Sequence, residues 1–481
     1  LRLMNGNLKI NGDYYLEDGR LNLTTNNLET EGTLYQRDGD LIVGSGELRV
    51  GGNYLIEEEE GVHTTGELMM LEPEGLVIVE GNFVMDSRRS HSDNLKAGTM
   101  ELRGDFTQRV SIGGTSYVPR RNFRASEDHR VILNGTSKQV VSFQTPGESR
   151  FATLELDNSA GVEFSSYVPV TVKIIDTAVV EPENAANLSP FGEAIIDSGE
   201  WLWDLGIHYN WDLLADLLVH GEVKQSGGSL RLMNGNLKIN GDYYLEDGRL
   251  NLTTNNLETE GTLYQRDGDL IIGSGELRVG GNYLIEEEEG VYTTGELMML
   301  EPGGLVIVEG NFVMDSRRSH TDNLKAGTME LRGDFTQRVS IGGTSYVPRR
   351  NFQASEDHRV ILNGTSKQVV SFQTPGESRF ATLELDNSAG VEFSSRVPFG
   401  VKVFDNLQNE PINSQNLSPF GVAEIENELW RWSLRVDQNW QLQHDLTIQG
   451  DLYLNSGTLD TNNYQLEVQG FTFENGGSIS P

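Results

Sequence analysis

The sequence predicts an all-β fold: a right-handed parallel β-solenoid with about 20 residues per coil and some longer loops. Three observations predict it. Glycines recur at Gly12, Gly32 and Gly52, 20 positions apart. The apolar residues before them move in step: Leu1, Leu3, Leu8 and Ile10 become Leu21, Leu23, Leu28 and Thr30, then Leu41, Val43, Leu48 and Val50. The string LRLMNGNLKINGDYYLEDG begins at Leu1 and again at Leu230, so a longer period of 230 − 1 = 229 residues encloses the shorter one.

Apolar residues at every second position mark strands, not helices. Three short strands fit each period, separated by the turn signals Asn5-Gly6, Gly12 and Asp18-Gly19. A unit that small cannot bury its own apolar face and must stack on its neighbours. Strand twist and parallel crossover favour the right-handed coil. The glycine ladder crosses the join between the long repeats at Gly221, Gly241, Gly261 and Gly281, and returns at Gly450 and Gly470. Looser spacing between Gly81, Gly104 and Gly135 predicts longer loops. The stretch Trp211 to Leu218 could be a short amphipathic helix, but its counterpart Trp440 to Ile448 alternates like a strand, so strand is expected in both. At about 4.8 Å per coil, the chain is expected to extend on the order of 110 Å.

The long period defines a first repeat unit at 1–229, a second at 230–458 and the start of a divergent third at 459–481. From 1 to 166 the copies differ only at Val43/Ile272, His63/Tyr292, Glu74/Gly303, Ser92/Thr321 and Arg124/Gln353. Leu1-Arg2-Leu3 opens in full alternation, and Leu466, Val468 and Phe471 carry it almost to Pro481. Neither stretch reads as a polar cap, so coils are expected to continue beyond both, in the same polypeptide or by end-to-end self-association along the solenoid axis.

Among the 481 residues, 37 basic side chains face 72 acidic ones, a net charge of −35. That balance argues against a nucleic-acid binder, which needs a basic face, and against docking on anionic membranes. Without cysteine there is no disulfide, zinc–thiolate site or thiol catalysis. No apolar run is long enough to span a membrane.

GTMELRGDFTQ (98–108), the preceding GNFVMDSRRSHSDNLKAG (81–98) and HRVILNGTSKQVVSFQTPGESRFATLELDNSAGVEFSS (129–166) resemble repeat units of large β-solenoid surface proteins from Gram-positive spore-forming bacteria. The likeness covers most of each unit but is weaker over 167–229. It implies a secreted, repetitive protein at the cell surface and brings no catalytic residue with it.

Candidate sites are few. Glu57-Glu58-Glu59-Glu60, repeated at 286–289, offers carboxylates for calcium, but a straight run without alternating ligands and a turn glycine reads better as a solvated acidic loop. Asp18-Gly19 and Asp38-Gly39-Asp40 read as turns before ligands. Arg88, Arg89 and His91, with Arg120 and Arg121, form basic clusters suited to an anionic glycan or an acidic neighbouring chain, or to neutralising local acid, which we favour. His91 and its copy His320 lack the partner and cleft that a general base needs. Trp201, Trp203 and Trp211 read as a sugar-stacking platform or, preferably, as core aromatics. Thr24-Thr25 and Thr64-Thr65 are isolated pairs, not an ice-binding ladder. We assign no catalytic, metal or cofactor-binding residue. The expected function is a structural or adhesive segment of a long extracellular surface protein or fibre; the alternative is a carbohydrate-binding or polysaccharide-cleaving β-helix.

Overall fold

The computed structural model describes residues 1–59, 62–111, 121–178, 180–288, 291–340, 350–355 and 357–481. The chain divides into two compact units, Leu1–Lys224 and Gln225–Pro481. Each is a β-solenoid of parallel strands stacked about 20 residues apart.

In the first unit, one coil supplies Leu8–Ile10, Tyr14–Leu16 and Arg20–Asn22, and the next supplies Leu28–Thr30, Leu34–Gln36 and Asp40–Ile42. They pair in parallel register, Leu8 with Leu28, Tyr14 with Leu34, and Arg20 with Asp40. The pleat explains the sequence pattern. Leu28, Thr30, Leu34, Gln36 and Leu41 are buried, while Glu29, Tyr35 and Asp40 look outward. Stacking continues through Glu47–Val50, Leu76–Val79, Thr99–Leu102 and Arg130–Leu133 on one face. On the next face it continues through Tyr54–Ile56, Phe83–Met85 and Phe106–Gln108.

Each glycine of the ladder sits where one turn lies directly on the next. The Gly52 amide donates to the Gly32 carbonyl at 2.9 Å, and the Gly81 amide to the Gly52 carbonyl at 2.9 Å. A Cβ on Gly104 would stand 2.4 Å from the Gly81 carbonyl carbon, so close approach alone demands glycine there. Beside this ladder runs a second one. Asp13, Asn53 and Asn82 each use Oδ1 to accept the amide hydrogen of the matching residue in the following coil: Thr33 at 2.8 Å, Asn82 at 2.8 Å and Asp105 at 2.9 Å.

The interior becomes aromatic where the coils widen. Phe106 packs on Phe83, Phe123, Phe143 and Phe151 with ring centroids 4.9 to 5.7 Å apart. Buried amides are satisfied internally: Gln36 donates to the Gly39 and Glu67 carbonyls at 2.7 and 2.9 Å, and accepts the Tyr54 hydroxyl at 2.5 Å. Gln265 repeats this in the second unit, with Tyr283 at 2.6 Å.

The stretch with the ambiguous pattern is strand in both copies: Trp211–Leu213 and Leu217–Val219, then Trp440–Gln441 and Leu446–Ile448. Among the described residues, no helix is long and apolar enough to cross a membrane.

Candidate functional site

The outward middle residues of the second face form a stripe. In the first unit Tyr15, Tyr35, Leu55 and Val84 occupy successive rungs in register, and Val84 is covered to 5% exposure. Tyr15 and Tyr35 stack face to face, with ring centroids 4.7 Å apart and planes within 3°. The stripe steps from aromatic to aliphatic at Leu55, and a groove of about 440 Å³ opens there. Leu55 and Val84 floor it, Tyr35 closes one end, and Asn53 and Asn82 line one wall. The other wall carries Arg37, Arg109 and the carboxylates of Glu57, Glu58 and Glu59.

The second unit reproduces this arrangement 229 residues later, in a groove of about 430 Å³ bounded by Tyr264, Leu284, Val313, Asn282 and Asn311. Tyr244 stacks on Tyr264 with centroids 4.8 Å apart. Position 15 + 229 + 229 = 473 is Phe473, which stacks on Tyr453 at 4.9 Å.

The reading of the acidic run as a solvated loop needs correcting at its first residue. Glu57 and Glu286 are not solvated loop residues: each is 6% exposed, at the corner after its strand. Arg109 reaches Glu57 at 3.5 Å, and Arg338 reaches Glu286 at 3.2 Å, so a desolvated carboxylate is held by a guanidinium. Glu58 and Glu59 are exposed at the rim, where the Glu58 amide donates to the Val62 carbonyl at 2.9 Å. Glu60 and Glu289 lie outside the described residues. No cluster with metal-ligand geometry exists among the described residues.

His91 also departs from the basic cluster in which the sequence places it. It is fully buried. Its Nε2 accepts the Leu68 amide hydrogen at 3.1 Å, which leaves Nδ1–H to face the Arg89 carbonyl at 3.2 Å. Burial, only partly offset by that hydrogen bond to Arg89, lowers its pKa to about 4, so the ring is a neutral strut between coils. His320 repeats the contact with Leu297 at 3.0 Å. Two cations of the cluster are exposed and locally paired: Arg89 with Glu67 at 3.8 Å, Arg121 with Glu148 at 2.9 Å. Arg88 is exposed, and Arg120 lies outside the described residues.

Asp18, Asp38, Asp40 and Arg89 meet in an open hollow of about 820 Å³. Its carboxylates are engaged within the fold. Asp40 pairs with Arg20 at 3.1 Å, and Asp18 accepts the Gly19 amide at 2.6 Å. Asp38 accepts the Thr65 hydroxyl at 2.7 Å and the Thr65 amide at 2.9 Å, bonds that hold its pKa below the usual value. Thr65 thus braces a turn.

Trp201 and Trp211 are buried, with Nε1 donating to the Asp204 and Ala194 carbonyls at 2.9 and 2.8 Å. They are core residues, as is their counterpart pair Trp430 and Trp440. Trp203 is half-buried and tied to Asp176 at 3.0 Å. The outward aromatic shelf is made by tyrosines instead. Sequence reasoning missed Tyr15 and Tyr35, although their 20-residue separation at the polar-facing phase of two strands was a readable signal. It had no means of finding Arg37, Arg109, Asn53 or Asn82, which reach the groove from different coils.

The chain matches no family model, no curated protein and no solved structure.

Proposed function

We propose that the chain is a structural or adhesive segment of a long extracellular, cell-surface protein or fibre, acting through repeated surface and not through catalysis. The observation that carries this reading is the duplication of outward-facing geometry along with the core. The two grooves measure about 440 and 430 Å³ and are built from residues at equivalent positions. A tandem repeat of this kind multiplies weak contacts by raising effective concentration. The likeness to surface-protein repeats over 81–108 and 129–166 supports the same reading. Self-association along the solenoid axis is the partner mode we favour.

Sedimentation velocity over a concentration series, with negative-stain imaging, tests the assembly. Concentration-dependent linear association is expected, and a strictly monomeric chain at every concentration would overturn it. An antibody to the chain should label intact source cells, and incubation with polysaccharides should release no reducing ends. Labelling only after permeabilisation would sink the surface assignment, and steady release would sink the non-catalytic one.

A further inference from the structure

We infer that the Tyr35 groove and its copy at Tyr264 are binding sites for an uncharged hexose-based glycan, one in each compact unit. The assignment rests on the adhesive reading above and gives it a partner.

The argument begins with the ring. Tyr15 covers one face of Tyr35 at 4.7 Å, and the other face bounds the groove where Leu55 replaces an aromatic in the next rung. An aromatic face beside an aliphatic floor is a surface for the C–H face of a pyranose, which is apolar and flat on the scale of one ring. The size, about 440 Å³, lies within the roughly 300–1,000 Å³ usual for small-ligand sites.

The walls supply both halves of hydroxyl recognition. Asn53 and Asn82 spend Oδ1 on the backbone ladder, so each presents its NH₂ group as a donor. Glu58 and Glu59 at the opposite rim are acceptors. A sugar hydroxyl both donates and accepts, so a groove that sets amide and guanidinium donors alongside carboxylate acceptors suits it better than it suits an apolar peptide.

The groove is also held in shape before anything binds. Glu17 fixes Arg37 at 2.9 Å, and Arg109 fixes the buried Glu57 at 3.5 Å. In the second unit Glu246 fixes Arg266 at 2.7 Å, and Arg338 fixes Glu286 at 3.2 Å. Binding then costs little side-chain ordering.

Charge selects the class of glycan. Each groove carries three carboxylates against two guanidinium groups, on a chain of net charge −35. A uronic-acid polymer would be repelled, whereas a neutral hexose polymer would not.

Isothermal titration of the whole 481-residue chain with cellohexaose, chitohexaose and hexagalacturonate tests the inference. At least one neutral hexasaccharide should bind with two sites per chain, and hexagalacturonate should not bind. Tyr35→Ala should halve the stoichiometry. The double variant Tyr35→Ala/Tyr264→Ala should weaken binding by about tenfold or more, while Tyr35→Phe/Tyr264→Phe, which keeps the ring faces, should bind like the parent. Circular dichroism reports whether each variant keeps its β-structure. Glu58→Ala/Glu287→Ala, at exposed rim positions outside the core, gives a second reading if the alanine pair misfolds, and it too should weaken binding. Failure of both neutral sugars to bind, preference for hexagalacturonate, or titrations unchanged in the groove variants would overturn the assignment. Fibres that form without glycan binding would leave the structural reading standing and remove only this one. Two-site binding by a chain that never self-associates would do the reverse.

Discussion

At the scale of single residues, two pairs of buried histidines separate burial from bonding. His91 and His129 are both fully buried, yet His91 bridges Leu68 and Arg89, while neither ring nitrogen of His129 has a hydrogen-bond partner among the described residues. His129 instead packs edge-on to Phe123 at 6.1 Å. Removing the His91 ring strands a buried amide, at a cost of about 1–3 kcal/mol. Removing the His129 ring strands nothing. In the full chain, His91→Leu/His320→Leu should therefore lower stability at pH 7 clearly more than His129→Leu/His358→Leu, as read by urea denaturation. Similar losses for both would refute the distinction. The pH dependence has a defined sign. Burial puts the folded pKa at about 4 for His91 and about 3 for His129, against 6.5 for a free ring. Below about pH 6.5 the unfolded chain takes up protons that the folded chain refuses, so each ring's share of stability falls as pH drops and levels off only near its folded pKa. The His129→Leu/His358→Leu variant should lose less stability between pH 7 and pH 5 than the parent does. An unchanged slope would mean that these rings titrate normally.

Among elements, the turn glycines divide into those that stack and those that merely turn. A Cβ on Gly333 would lie 2.3 Å from the Gly310 carbonyl oxygen, a backbone atom that cannot rotate away. A Cβ on Gly303 would meet nothing closer than the Ser274 Cβ at 3.1 Å, and the first unit carries Glu74 at the equivalent position. Gly333→Ala should therefore cost about 1–3 kcal/mol or more by overpacking, and Gly303→Ala should be near neutral. Thermal melts of the two variants decide it; equal melting temperatures would show that coils can separate locally without penalty. The same contrast explains what the sequence revealed. Strand phase and the glycine ladder were legible because a 20-residue period repeats a local pattern, and Trp211–Leu213 was legible because Trp440 onward alternates. Burial at corners was not. Glu57 and Gln36 have polar side chains and look solvent-facing in isolation, but Glu57 is enclosed by Arg109, and Gln36 by Tyr54 and the Glu67 carbonyl. Those partners come from other coils, and only stacking brings them together. The groove was hidden for the same reason: its lining is drawn from four coils, five residues from the coil of Leu55 and one or two from each of the others.

For the molecule as a whole, the surplus of acid decides how copies can meet. Many ion pairs link a residue to its neighbour in the next coil, as Lys9 does with Glu29 at 3.0 Å and Lys238 with Glu258 at 3.3 Å. These pairs are exposed, so each contributes little to stability. They consume cations that are already scarce, and a net charge of −35 remains to act between chains. Two modes of association then respond oppositely to salt. Contacts through backbone edges and apolar rungs are opposed by the like charge, and screening that repulsion strengthens them. Contacts that dock exposed arginines such as Arg88 on a neighbour's acidic surface are driven by charge, and screening weakens them. The screening length falls from about 30 Å at 0.01 M to about 3 Å at 1 M salt, so the two modes diverge strongly over an accessible range. We expect the first mode, because Arg89 and Arg121 already have acidic partners within their own unit. Sedimentation velocity from low to high sodium chloride should show association rising with salt, and acidification toward the isoelectric point near pH 4.5 should act in the same direction. Complexes that dissolve as salt is added would instead place the arginine loops at the interface and make charge complementarity the force that joins one chain to the next.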